Sequence, residues 1–572
     1  MKFSTKFLVS IISFILLSKE VCTSSALPPF IFGKPAKSTI LRHAERMHYG
    51  QIHGFEALKK FDNLQDDCPD VKEDYFVNKV DHFSNDTRTY KQRYQYNSKY
   101  YQKSSTADNV FIMIGGEGAA SCIWVQKEGY QYIQMAKNHS AYIYQLEHRF
   151  FGPSQPFGNT NSMSFDNLKY LHSKQALADL AAFIDGIKGN FVNPKFVVFG
   201  GSYPGGLAAI FRLKYPDYSV GGIASSAGIN LQIDYNGYSM GMQDTIKATS
   251  MDCYNAVNSS FMALQQATLS KDGRAKLNQL FNLQPPFNES TFTQLDLTNF
   301  LANVFSVFQG VIQYTYDGRN DITKSTYTVN QLCKYMTGVQ TSVGYENIAA
   351  VIRWSNKIMG GNANDPFPNS YGDMITQLRM VNYGDAINND NVEANLEGRG
   401  WMWLCCNQLG FFQTTDQGRN IWQNIIPLDF FVNQCSDIFD PSVNYDYIVK
   451  AVAAGKEYYG DVSTYNAPNT VLPNGGFDPW NRIGVYRNDS SIHLYSFLIP
   501  GAAHCSDMYP SYDGEPAGLA PARQLIYNEV NYYLQPKVNI ETTTKGTSSK
   551  QNLTSYTILL SFMSLLISFI IC

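Results

Sequence analysis

The chain has 572 residues, 44% of them hydrophobic, and a formal net charge of -3. That length supports a large buried core and more than one structural unit, and the apolar content excludes a disordered chain. A near-neutral charge without a run of Lys and Arg argues against a nucleic-acid partner.

The chain opens with MKFSTKFLVSIISFILLSKEVCTSSA: two lysines, an apolar run over residues 7–17, then small residues. This is the layout of a secretory signal peptide, assigned to residues 1–25, and the run is too short to span a bilayer. Residues 26–74 have no clear period and read as an N-terminal arm or pro-segment. From residue 75 onward, VFIMIGG (110–116) and AYIYQLEHR (141–149) are apolar runs of strand length. SKQALADLAAFIDGI (173–187) has helical spacing, and KFVVFGG (195–201) is the next strand. Short buried strands alternating with helices predict a parallel sheet covered on both faces. The first part of this α/β domain is placed at 75–231. Residues 232–424 carry helical patterns, as in LTNFLANVFSVFQGVIQ, and read as a helical insertion. Strand signals return in NTVLPNGGFD (469–478) and SIHLYSFLIPG (491–501), within a second α/β part at 425–540.

Residues 541–572 form a polar linker and an apolar tail. Small residues, a polar spacer and YTILLSFMSLLISFIIC make the pattern of a GPI-anchor signal, with Gly546 as the preferred attachment residue. A tail-anchored helix is the competing reading, although the tail is slightly short and no cytosolic charge follows it. Either way the sequence directs the chain to the secretory pathway, at the cell surface or else secreted or lysosomal. Cys22 leaves with the signal and Cys572 is the last residue. The even set between them (Cys68, Cys122, Cys253, Cys333, Cys405, Cys406, Cys435 and Cys505) suits disulfides in an oxidising compartment. No Cys/His pairing has zinc spacing, so no metal site and no cofactor are expected. Sequons begin at Asn85, Asn138, Asn258, Asn288, Asn488 and Asn552.

The chemistry centres on FVVFGGSYPGGLAAIFRLKYP, residues 196–216. A strand, a Gly-Gly-Ser turn and an apolar helix would project Ser202 clear of its backbone, with the Tyr203 N–H pointing at an attacked carbonyl as an oxyanion donor. Pro204 stands where the usual G-x-S-x-G elbow has its last glycine, and proline is tolerated in a first helical turn. The turn alone is equally compatible with a capping serine or a phosphate site. A serine nucleophile needs a base, and in the α/β-hydrolase arrangement acid and histidine follow the serine in the chain. Only His493 and His504 follow Ser202. His493 lies within a strand pattern, whereas His504 sits in the small-residue loop GAAHC. Asp478, in the loop NGGFDPW, would orient the imidazole.

LEHRFFGPSQPFG, GGSYPGGLAAIFRLKYP, NGGFDPW and GAAHCSDM, in that order, resemble the Pro-X serine peptidase family. That family includes lysosomal Pro-X carboxypeptidase, dipeptidyl peptidase II and thymus-specific serine protease. The resemblance runs over residues 75–534, and IGGEG (114–118) is closer to the thymus-specific branch. It implies an α/β-hydrolase fold with an inserted helical cap and peptide substrates cleaved after proline or a small apolar residue. Ser202 is then the nucleophile, Asp478 the orienting acid and His504 the base. It also implies that Trp480 walls a proline pocket, with core packing as the alternative. Glu117 would meet a substrate amine or order its loop. Gln408 stands where the family usually has Glu, which puts terminus preference in doubt. A carboxylesterase or lipase on the same fold and a non-catalytic surface binding protein are the competing functions. The sequence leaves oligomeric state open.

Overall fold

The computed structural model describes residues 27–31, 34–35, 68–338, 344–359, 361–387 and 389–536. The signal peptide, the C-terminal tail and Asn552 lie outside them. Eight strands form the central sheet: β1 Lys72–Lys79, β2 Thr89–Asn97, β3 Asn109–Ile114, β4 Tyr142–Leu146, β5 Lys195–Gly201, β6 Gly221–Ser225, β7 Thr470–Gly475 and β8 Leu494–Ile499. Across the sheet the order is β8-β7-β6-β5-β3-β4-β2-β1. The β1–β2 and β2–β4 pairs are antiparallel, and every other neighbouring pair is parallel. An antiparallel edge, a crossed β3/β4 pair and a long parallel run are the topology of the α/β-hydrolase fold.

Burial on both faces explains why these strands read as continuous apolar runs. In β3, Val110, Ile112 and Ile114 face one core with helices α2 (Ser173–Ile187) and α3 (Tyr203–Lys214). Phe111 and Met113 point the other way, into a core with α1 (Gln131–Asn138) and α6 (Leu519–Tyr533). Successive side chains alternate faces, so each apolar residue finds a helix.

Between β6 and β7 the chain is mainly helical. Helix α4 (Gln294–Gln313) starts with a capping box, in which Thr293 and Asp296 each accept from the other's backbone N–H. Helix α5 spans Asp390–Leu404. Helices continue beyond residue 424, at Leu428–Ile438 and Tyr445–Tyr459, before β7 begins. At the N-terminal end, Phe30–Ile31 pairs antiparallel with Lys34–Pro35. Leu27, Phe30 and Ile31 are buried. Phe30 fills the space over Gly310, where a Cβ would lie 2.0 Å from its ring.

Disulfides join Cys68 to Cys122, Cys253 to Cys333 and Cys406 to Cys435. Cys405 and Cys505 are buried free thiols, so the even cysteine count does not translate into four bridges. The neighbour of Cys405 is bridged elsewhere, and Cys505 packs against Gly201.

Candidate active site

Ser202 forms the corner between β5 and α3, with φ 64° and ψ -130°. This conformation suits glycine and costs a serine about 1–3 kcal/mol. Small neighbours make the corner feasible. A Cβ on Gly200 would lie 2.1 Å from the Pro204 carbonyl oxygen, and one on Gly205 2.4 Å from that of Ser225. The Ser202 N–H donates to the Ser225 carbonyl at 3.0 Å, fixing the corner to β6. Tyr203 is the first residue of α3, and first-turn N–H groups have no intrahelical acceptor. Its phenol is buried and lies 3.1 Å from Nε2 of His148. His148 Nδ1 donates to the Arg149 carbonyl, which leaves Nε2 as the acceptor, and burial pulls its pKa down to about 4.

His504 follows β8 and Asp478 follows β7, so two adjacent parallel strands deliver them to one end of the sheet. His504 Nδ1 lies 2.8 Å from Asp478 Oδ2, and both residues are buried. The other Asp478 oxygen accepts from the Trp480 N–H at 2.9 Å. Burial disfavours the charged imidazole, but the Asp478 carboxylate, with Cys505 beside it, outweighs that and raises the His504 pKa well above its ordinary value. The backbone N–H of His504 donates to the Gln313 backbone carbonyl at the end of α4, at 3.0 Å.

Ser202 and His504 line one cavity of about 270 Å³. Its other walls include the loop of residues 115–121, together with Tyr314, Arg319 and Cys505. That loop hangs from two buried carboxylates. Glu147 accepts from the Ala120 N–H at 2.9 Å and Glu397 from the Ala119 N–H at 2.8 Å. This explains Glu147 in the LEHR motif: it also binds Arg93 and the Ser154 hydroxyl. Arg149 in turn makes a two-bond contact with buried Asp179. Lys34 and Pro35 also line the cavity. Sequence reasoning missed them, along with Gln313, Tyr314, Arg319 and Glu397. All of these reach the site through contacts between distant parts of the chain, which leave no local pattern.

Glu117 lines the cavity, and burial raises its carboxyl pKa against the pull of Lys34 and His504. Trp480 is buried behind His504, with ring centroids 6.4 Å apart, and packs on Tyr235, Tyr238 and Phe411. Its indole N–H donates to the Gln313 side chain, and Trp480 is not among the cavity-lining residues. Gln408 lies away from the cavity and holds the start of α2 through the backbone N–H and hydroxyl of Ser173. His493 pairs with Glu529 at 2.9 Å and stacks on Tyr532. Asn85, Asn138, Asn288 and Asn488 are exposed; Asn258 is half-buried, with its oxygen accepting from Gln423.

The sheet topology places the chain in the α/β-hydrolase class. Within that class it belongs to the serine carboxypeptidase S28 family, whose profile matches residues 78–526, and it is a serine-type peptidase. A Caenorhabditis elegans protein bearing a serine protease name is 40% identical over 533 residues, covering 92% of this chain and 95% of its own. The thymus-specific serine protease of Mus musculus is 27% identical, covering 81% of this chain and 88% of its own. The lysosomal Pro-X carboxypeptidase of Bos taurus is 25% identical, covering 81% and 87%.

Proposed function

We propose that the chain hydrolyses peptide bonds through an acyl-enzyme on Ser202, with His504 as general base and Asp478 as its orienting acid. The observation that carries this reading is the strained corner at Ser202 sharing a cavity with His504, whose far nitrogen is held by Asp478. The Asp478 bond fixes a proton on Nδ1, leaving Nε2 to take the Ser202 hydroxyl proton as Oγ attacks the carbonyl carbon. The oxyanion is met by the Tyr203 N–H, worth roughly 3 kcal/mol for one such donor. The imidazolium then protonates the departing amine, and water releases the acyl group by the same steps in reverse. Substrates are peptides with proline or a small apolar residue before the scissile bond, trimmed from one end. The name of the bovine relative, a Pro-X carboxypeptidase, and the small volume of the cavity support that preference.

The helical run between β6 and β7 acts as a cap, since Tyr314 and Arg319 bound the cavity and Gln313 supports His504. Trp480 serves this site from behind, by backing His504. The chain is exported, carries glycans on the exposed asparagines and is held at the cell surface by a lipid at its C-terminus. Phospholipase release from intact cells tests the anchor.

The central test is Ser202→Ala. It should fold and be exported, lose fluorophosphonate labelling and lose about 10⁴–10⁶ in hydrolysis of a peptide library. Near-normal hydrolysis by the purified variant would refute the assignment.

A further inference from the structure

Resting on the reading of Ser202 as nucleophile, we infer that Glu397 is a specificity-determining subsite for an ammonium group carried by the substrate beside its proline. Lys34–Pro35 of the N-terminal segment occupies that subsite in the structure.

The site and its occupant are built separately. Glu397 stands on α5, and its Oε1 is fixed by the Ala119 N–H. Oε2 is thereby aimed at Lys34 Nζ, 3.1 Å away and 363 residues distant in sequence. Gly118 lines the cavity and leaves room for the carboxylate behind it, since a Cβ there would sit 3.1 Å from Oε1; Glu397 itself does not line the cavity and meets it through Lys34 and Ala119. Lys34 is brought in by an anchor of its own, the buried Leu27, Phe30 and Ile31. Lys34 and Pro35 both line the cavity that holds Ser202 and His504. The segment therefore presents a Lys-Pro pair where a peptide substrate must lie.

Both partners of the Lys34–Glu397 pair are buried, with side chains 7% and 2% exposed. A carboxylate this deeply buried is costly without a cation. When Lys34 withdraws, an equivalent ammonium is therefore favoured in its place. Peptides supply one from a lysine side chain or from a free N-terminus.

The test uses the full chain with Lys34→Met, which keeps the alkyl stem, and Lys34→Ala as a second variant. Each is made with and without Glu397→Gln, which preserves an acceptor for Ala119. Proline peptides are compared in two pairs: lysine against norleucine before the proline, and a free against an acetylated N-terminus. Vacating Lys34 should raise kcat/KM for the ammonium-bearing member of one pair about tenfold over its neutral counterpart. The pair that responds names the source of the ammonium. Adding Glu397→Gln should erase that preference, so that the ammonium-bearing and neutral members of the pair are cleaved with kcat/KM values within about threefold of each other. A preference that survives Glu397→Gln, or no preference in either pair once Lys34 is replaced, overturns the subsite. Uniform loss across charged and neutral peptides would instead assign Glu397 to holding the Ala119 loop and also overturns it. Absence of labelling in every variant would refute the Ser202 reading instead.

Discussion

His504 lies between opposing influences. Burial disfavours its charged form, and the Asp478 carboxylate favours it more strongly, so the imidazole keeps its proton above the ordinary range. A general base must be unprotonated, so activity should fall as pH drops through that raised value. Asp478→Asn removes the carboxylate and leaves the burial. The acid limb of kcat/KM should then move to lower pH while the rate falls by about 10⁴. A limb that stays put would mean that Asp478 does not set this titration. Three residues on, burial pushes the Asp507 carboxyl up to about 6, against the pull of Ser225 and Arg523. Such a carboxyl binds its proton more tightly when folded, so it adds stability as pH falls from about 6 toward about 4, the usual aspartate value. Asp507→Asn loses that increment. The melting temperature of the natural protein should rise relative to the variant between about pH 7 and pH 5, and a constant difference would argue against the linkage.

At the scale of elements, the corner between β5 and α3 stores strain in one side-chain-bearing residue. Ser202→Gly and Ser202→Ala both remove the hydroxyl, but only glycine accepts φ 64° and ψ -130° without penalty. The glycine variant should therefore be more stable than the alanine variant by about 1 kcal/mol in denaturant titration, with both inactive. Equal stability would mean that the corner relaxes when the hydroxyl is gone. The helix spacing behind the corner is equally constrained, because Gly205 lies against the backbone of Ser225.

For the whole molecule, disulfides cross-link the helical run as well as the sheet domain. The Cys253–Cys333 bridge closes 80 residues between the helices Met251–Thr268 and Val329–Gly338, away from the sheet. By chain entropy, removing it should cost about 2–5 kcal/mol. Cys253→Ala/Cys333→Ala should unfold at lower temperature yet label with fluorophosphonate normally while folded. Loss of labelling in the folded variant would show that the bridge shapes the cavity itself.

The sequence by itself determined the strands Asn109–Ile114, Tyr142–Leu146, Lys195–Gly201, Thr470–Gly475 and Leu494–Ile499, the helix at 173–187 and the strand–turn–helix around Ser202, because those depend on local apolar runs and on glycines at a tight turn. Chain order also narrowed the histidine choice to two, since only His493 and His504 follow the serine. Tertiary structure alone decided the rest. Parallel pairing of β7 with β8 brings Asp478 to His504, and the sequence shows the loops but not their adjacency. It also decided which cysteines pair, that Gln408 holds a helix start, and that Trp480 stands behind the cavity. Lys34 meets Glu397 across 363 residues, and no periodicity encodes a contact of that kind. Local propensity is written in neighbouring residues, whereas a site is assembled from chain segments whose proximity only the packed core enforces.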